Sequence, residues 1–362
     1  MVSRGAGVPA RQQESLARHD SIRIMAAPSD GPSGSGAADR GREAAAASRD
    51  ATQVGPRAGG AHQRRPPLAA VFAVPLIVAL ALSLFAWPAA ELAPRDLPVG
   101  VAGPAPAARA IQARLTRPEG AFELHRYRDA AAARAAIGDR EVYGAFVASP
   151  GGVTVMTASA GSPVVARLLR EAAGAGARVR DVVPATAEDP LGLAVGTVAL
   201  PLVIGGILTG VLAGLVAPLG VRRVGLLLVG AILAGLVAVA ILQAWLGVIR
   251  GSWLANAGAL SLAVLAIAAA VAGLQALIGR PGIAVVALLM VLIGNPFSGI
   301  SSAPEMLPHP GGTIGQLMPP GAGGNLLRST AFFDGAAAAG HAAVLAAWAL
   351  LGMGGLAIAA RR

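Results

Sequence analysis

Five long apolar runs follow one another from residue 191 to the end of the chain, and no charged side chain lies inside any of them. Counting Arg, Asp and Glu, the charges of this half are Arg222, Arg223, Arg250, Arg280, Glu305, Arg328, Asp334, Arg361 and Arg362, each between runs or at a run's end. A further run, Leu68 to Pro88, stands alone near the N-terminus. Stretches of about 18 or more apolar residues read as transmembrane helices, because a helix satisfies all its own backbone groups in lipid. The sequence therefore predicts a membrane all-α fold of six transmembrane helices. Charges within such helices mark ion paths and proton relays. Without them the chain does not read as an ion-coupled pump.

Composition narrows the chemistry further. All 29 basic residues are Arg, with no Lys, and there is no Cys. A Walker A loop, a Schiff-base enzyme and a Ser-x-x-Lys nucleophile each need a Lys, so all three are excluded. Disulfides, thiolate metal sites and Cys nucleophiles are excluded too. The five His residues (19, 62, 125, 309 and 341) show no i, i+4 pairing and no HExxH, so no metal site is expected. No Gly-x-Ser-x-Gly elbow occurs. The expectation is a protein without cofactor, metal or catalytic residues, and not an enzyme. The net charge of +10 does not point to nucleic acid, because the Arg are neither clustered on one module nor interleaved with aromatics.

The charge instead follows membrane topology. Residues 1–67 hold ten Arg against six acids, residues 91–190 twelve against eleven, and the remainder seven against two. By the positive-inside rule, Arg64 and Arg65 before the first run put the N-terminus in the cytoplasm. The chain then crosses at 68–88, and residues 91–190 lie outside. The next spans are 191–217, about 224–246, about 254–278, about 282–297 and about 338–360. They deliver Arg222 and Arg223, then Arg280, then Arg361 and Arg362 to the inside, and leave only Arg250 and Arg328 in short outer loops. Both termini are thus expected in the cytoplasm of a multi-pass protein, with the lipid bilayer as its first partner. The run at 68–88 is longer than the h-region of a signal peptide, about 7–15 residues, and reads as an uncleaved anchor. Residues 1–66, rich in Ala, Gly, Ser, Pro and Arg, lack apolar periodicity and read as a disordered cytoplasmic leader. Met1 and Met25 both remain open as the initiator.

Within the second span, Gly206, Gly210 and Gly214 recur every four residues, a small-residue face that lets helices approach closely. Packing within the chain is the favoured reading, with a dimer seam or sliding surface as the alternative. The few polar residues of the spans, among them Thr197, Thr209, Gln243 and Asn256, are expected to bond neighbouring helices, and His341 to be solvated or to cap the last span.

Residues 91–190 suffice for one small domain. Pro98–Gly103, Phe122–Tyr127, Tyr143–Ala148, Val153–Thr157 and 178–183 read as strands, with a Pro-Gly-Gly turn joining the third and fourth. Helices fit Ala105–Leu115, the Ala-rich stretch after a capping Asp129, and the stretch from Ser162-Pro163 to Glu171. The result is a small extracytoplasmic α/β domain between spans one and two. The five spans of 191–362 enclose a long outer loop, 298–337, broken by Pro304, Pro308, Pro310, Pro319 and Pro320. Its apolar pieces, with Phe332 and Phe333, suit re-entrant or surface-lying helices at the outer membrane interface.

This layout resembles the type 2 ABC export permeases, and more closely their bacterial relatives in the phage infection protein family. Four stretches are similar to actinobacterial members: Asp96–Pro104 (DLPVGVAGP), Arg126–Gly152 (RYRDAAAARAAIGDREVYGAFVASPGG), Asn295–Pro308 (NPFSGISSAPEMLP) and Gln316–Gly335 (QLMPPGAGGNLLRSTAFFDG). The resemblance covers about residues 68–362. It implies a permease subunit of the bacterial plasma membrane that dimerises and is driven by a separate cytoplasmic ATPase. Two features depart from the family. The loop between the second and third spans is only about Pro218–Val224, too short for a helix an ATPase could grip, and no amphipathic helix precedes the first span. The alternative is therefore a non-transporting receptor, scaffold or secretion accessory protein that acts through residues 91–190.

Overall fold

The structure, a computed structural model, describes residues 68–362 except 118 and 175. The leader 1–66, with Arg64, Arg65 and Met25, lies outside the described residues. Helix α1 (Leu68–Ala90) leads into an α/β unit: β1 (Leu97–Ala102), α2 (Ala105–Leu115), β2 (Phe122–Tyr127), α3 (Ala130–Gly138), β3 (Gly144–Ser149), β4 (Gly152–Thr157), α4 (Pro163–Ala173) and β5 (Arg178–Asp181). The local signals fall where the chain turns. The Asp129 carboxylate accepts from the Ala132 amide at the start of α3, and the Ser162 hydroxyl accepts from Val165 at the start of α4. Gly152, at φ +109°, closes the β3–β4 hairpin in a conformation that favours glycine. The five strands form one sheet in the order β2-β1-β3-β4-β5, antiparallel only between β3 and β4.

Both sheet faces are covered, and both covers include residues from far along the chain. On one face Leu97, Val99 and Val101 pack with Ala108 and Leu115 of α2 and with Val165 and Leu169 of α4, joined by Ala303 and Met306. On the other, Ala102, Ala145, Val147 and Met156 pack with Ala133, Ala136 and Ile137 of α3, joined by Phe333. The α/β unit is therefore not a bead on two tethers. The described residues, 68–362, fall in a single compact unit.

The rest of the chain is helical: α5 (Ala194–Thr197), α6 (Ala199–Val216), α7 (Val221–Val239) with a π-helical end to Trp245, α8 (Trp253–Ile278), α9 (Arg280–Leu288) with a π-helical end to Gly294, a 3₁₀ turn (Pro304–Met306), α10 (Gly311–Gln316), α11 (Pro319–Phe332) and α12 (Ala338–Ala360). Among the described residues, four helices are long and apolar enough to cross a membrane: Ala194–Val216, Val221–Trp245, Trp253–Ile278 and Ala338–Ala360. Two shorter apolar segments, Val74–Ala90 and Arg280–Gly294, match the remaining two runs.

Helix α8 is the axis of this body. Its neighbours α6, α7, α9, α11 and α12 each reach it through glycine. A Cβ on Gly206 would lie 2.7 Å from the Ile267 Cβ, and one on Gly210 would lie 2.6 Å from the Ala268 carbonyl oxygen. Gly214 lies against the Gln275 side chain, Gly235 against Ser261, Gly282 against Leu274 and Gly323 against Ala263. Gly273 and Gly352 meet backbone to backbone. The Gly206, Gly210 and Gly214 face is thus filled by α8 of the same chain. Asn256 of α8 donates to the Gln243 side chain at 2.9 Å, joining two helices, whereas Thr197 and Thr209 bond carbonyls of their own helices.

The helix ends alternate between two sides. Near the sheet, the Ala93 and Arg95 amides donate to the Met306 and Glu305 carbonyls at 3.1 and 2.9 Å, Gly196 abuts Ser301, and Gly247 abuts Glu188. At the far end α6 turns into α7 through residues 217–220, and α8 into α9 through Gly279 alone. If the glycine contacts set the fold, Gly352→Val should destabilise the protein by about 2 kcal/mol through overpacking. Gly354→Val, where no atom stands within 4 Å of the added Cβ, should leave stability nearly unchanged. Loss of monodispersity on heating in detergent, read by size-exclusion chromatography, makes the comparison.

Candidate functional site

The segment 298–337, expected to be re-entrant or surface-lying, ends in a helix buried within the helical body. Residues Pro319–Ser329 of α11 are all buried, inserted among the helices rather than lying on them. The segment is enclosed by protein and borders a cavity. The stretch 298–318 loops back as short turns, and a cavity of about 450 Å³ lies where it meets the α/β unit. This also corrects the sequence reading of Arg328. Though it falls between apolar runs, it is 2% exposed, deep in α11.

The cavity is polar where the two parts join. Arg140 follows α3 in a left-handed conformation (φ +61°), which carries its side chain away from the sheet unit and toward α11. There its Nη1 donates to the Asn325 carbonyl at 3.0 Å and to the Ser329 hydroxyl at 2.6 Å, while Nη2 donates to Asn325 Oδ1 at 3.0 Å. The guanidinium also stands 5.2 Å from the centre of the Phe333 ring, a cation–π distance. Asn325 Nδ2 passes the network to Gln316 Oε1 at 2.7 Å, and Gln316 Nε2 to the Ser298 carbonyl at 2.7 Å. One arginine of the sheet unit thereby holds α11, α10 and the start of the inserted loop.

A second contact lies beside it. The Tyr143 hydroxyl, at the entry to β3, donates to Glu305 Oε2 at 2.8 Å. Burial pushes the Tyr143 phenol well above its ordinary value, and the Glu305 carboxylate adds to the rise through its charge and its hydrogen bond. Tyr143 therefore stays protonated as the donor. Burial also draws the Arg140 guanidinium below its ordinary value, though arginine keeps its charge throughout the working range of proteins. Arg328 donates to the Ile300 carbonyl at 2.8 Å, and its buried Nε has no hydrogen-bond partner. The ion pairs among the described residues, His125–Glu123, Arg128–Asp129 and Arg167–Glu171, all lie on the surface of the sheet unit, and neither Arg140 nor Arg328 belongs to one.

The residues singled out from sequence fall elsewhere or change role. Phe333 is buried against the sheet and lines the cavity, and Phe332 sits beneath the Arg250 guanidinium at 5.5 Å. Arg222, Arg280, Arg361 and Arg362 are exposed at the end opposite the sheet. Arg223 is there too but buried, donating to the Gly214 and Ala217 carbonyls that end α6. His341, read as solvated or capping, lines the cavity. Arg140, Tyr143, Glu305 and Asn325 were not singled out individually. The one signal that contained them was the set of four stretches carrying the family resemblance, and each of those stretches contributes to the cavity wall.

Arg140→Ala removes three hydrogen bonds from a charged donor, so α11 should lose about 2 kcal/mol of local stability. Hydrogen exchange across residues 319–332 should then run roughly thirtyfold faster than in the unaltered protein. Arg134→Ala, exposed on the same helix region, should leave those amides unchanged.

Comparison with protein-family models, with curated proteins and with solved structures finds no match, so the functional argument stands on this geometry.

Proposed function

We propose that the chain is the permease-like membrane subunit of an export system in the bacterial plasma membrane, energised by an ATPase on a separate chain. The observation that carries this reading is the inserted segment. A buried, discontinuous stretch of backbone with a polar cavity at its mouth is the arrangement by which membrane transporters build substrate sites, and the π-helical ends of α7 and α9 pack near it. In this reading α1 and the Arg280–Gly294 segment complete six spans. Arg222, Arg223, Arg280, Arg361 and Arg362 face the cytoplasm, together with both termini, and the sheet unit stands outside. The two Arg at the sheet end support that orientation, because Arg250 covers Phe332 and Arg328 is buried. The uncovered apolar faces of α1, α6 and α7 meet lipid or, as the family resemblance implies, a second copy.

A second reading has its own observation. The turns at 217–220 and Gly279 leave the far end without a helix on which an ATPase could act. In that case the fold serves as a receptor or secretion scaffold working through the α/β unit. Purification of the tagged chain from its native membrane in mild detergent, with mass spectrometry and ATPase assay, separates the two. A stoichiometric ATPase whose hydrolysis rate changes with this subunit supports the exporter. Envelope or secretion components recovered without an ATPase would replace it with the scaffold.

A further inference from the structure

The charge around the cavity does not balance. Arg140 and Arg328 are both drawn out of water, and Tyr143 lies within the electrostatic reach of both and of Glu305. Arg95 and Asp96 also line the cavity and cancel in charge, so Glu305, which accepts from Tyr143, is the remaining carboxylate of the lining. A buried guanidinium without a carboxylate partner is costly, and surroundings of low dielectric amplify the imbalance. The protein meets the cost in part with neutral acceptors on Asn325, Ser329 and Ile300. Counting Arg328, which is buried nearby but does not line the cavity, leaves one positive charge over.

The hydrogen-bond pattern of Arg140 adds a direction to this. Nη1 uses both of its hydrogens and Nη2 one, while Nε makes no bond within the described residues. The unused Nε–H and the second Nη2–H share one edge of the planar group, which is the edge that meets a carboxylate in two parallel bonds. Ile137, Val142, Leu307 and Phe333 give the cavity wall an apolar share alongside its polar groups. A volume of about 450 Å³ lies within the range of small-molecule pockets, roughly 300–1,000 Å³.

We propose that this cavity binds a monoanionic amphiphile, with a carboxylate head on Arg140 and an apolar body along the wall formed by α3, the inserted loop and Phe333. The proposal names the substrate class for the cavity of the exporter reading and rests on that reading only for what happens after binding. A cationic amphiphile would be repelled by the two guanidiniums. A neutral one would leave the charge unmet.

The test uses the full chain in phosphatidylcholine nanodiscs and a dodecanoate carrying a terminal diazirine, photolysed and mapped by peptide mass spectrometry. The expected result is labelling confined to residues 304–316 and 333–341. Dodecanoate should compete, and dodecanol, dodecyltrimethylammonium and inorganic phosphate should not. Arg140→Gln should raise the competing concentration at least about tenfold. Thr313→Trp, at an exposed position on the rim, should block labelling without touching the Arg140 bonds, so a folding defect in the first variant does not decide the matter. Equal competition by dodecanol or by phosphate overturns the proposal. So does labelling spread along the lipid-facing helices, or labelling unchanged by both variants. Absence of labelling in a preparation that carries its ATPase defeats this inference alone, whereas specific labelling of a chain that recruits no ATPase defeats the exporter reading alone.

Discussion

Helix α8 can be the axis of this molecule only because its neighbours bring glycine to it. Between apolar helices in lipid there is no hydrophobic gain from association, so close packing must supply the attraction. Backbone-to-backbone contact at Gly273 and Gly352 and the glycine ridge of α6 provide it. The same closeness leaves little room for polar chemistry in the helical body, where the polar contacts of the described spans are chiefly local, such as Thr209 to the Gly205 carbonyl. Buried charge sits at the ends instead, with Arg223 on the carbonyls that end α6 and Arg328 within the inserted α11.

That insertion depends on the sheet unit as much as on the helices. Segment 298–337 supplies Ala303 and Met306 to one sheet face and Phe333 to the other, while Arg140 reaches back into α11. Neither part has a complete core without the other. An event at the cavity is therefore felt by both, which is the physical basis for treating the junction, rather than the α/β unit or the helices alone, as the functional element. The opposite end, with its short turns and exposed Arg222, Arg280, Arg361 and Arg362, carries basic charge and little else.

Much of the local structure was legible in the sequence. Asp129 and the Ser162-Pro163 pair start helices where capping chemistry says they should, and FELHRY spans β2 end to end, with its alternation broken at His125. Helix extents in the second half follow hydropathy because length and apolarity are nearly the whole requirement. The π-helical ends of α7 and α9 left no recognisable local pattern. The site was hidden for a different reason. Arg140 and Asn325 are 185 residues apart, and nothing local to either tells that they meet. Arg328 was placed by its position between apolar runs, and only the fold makes that position an interior one.

The account turns on the docking of the sheet unit against the inserted segment, and the chain's lack of cysteine makes that contact directly measurable. Gly161 faces the Phe333 ring, with 3.3 Å between an added Cβ and the ring's far carbon. Gly161→Cys with Phe333→Cys, treated in native membranes with a short bis-maleimide, should give an efficient intramolecular cross-link. Gly151→Cys, at the exposed β3–β4 turn, should give none with the same partner. Equal cross-linking of both pairs, or none in either, would mean that the two parts are not joined as described.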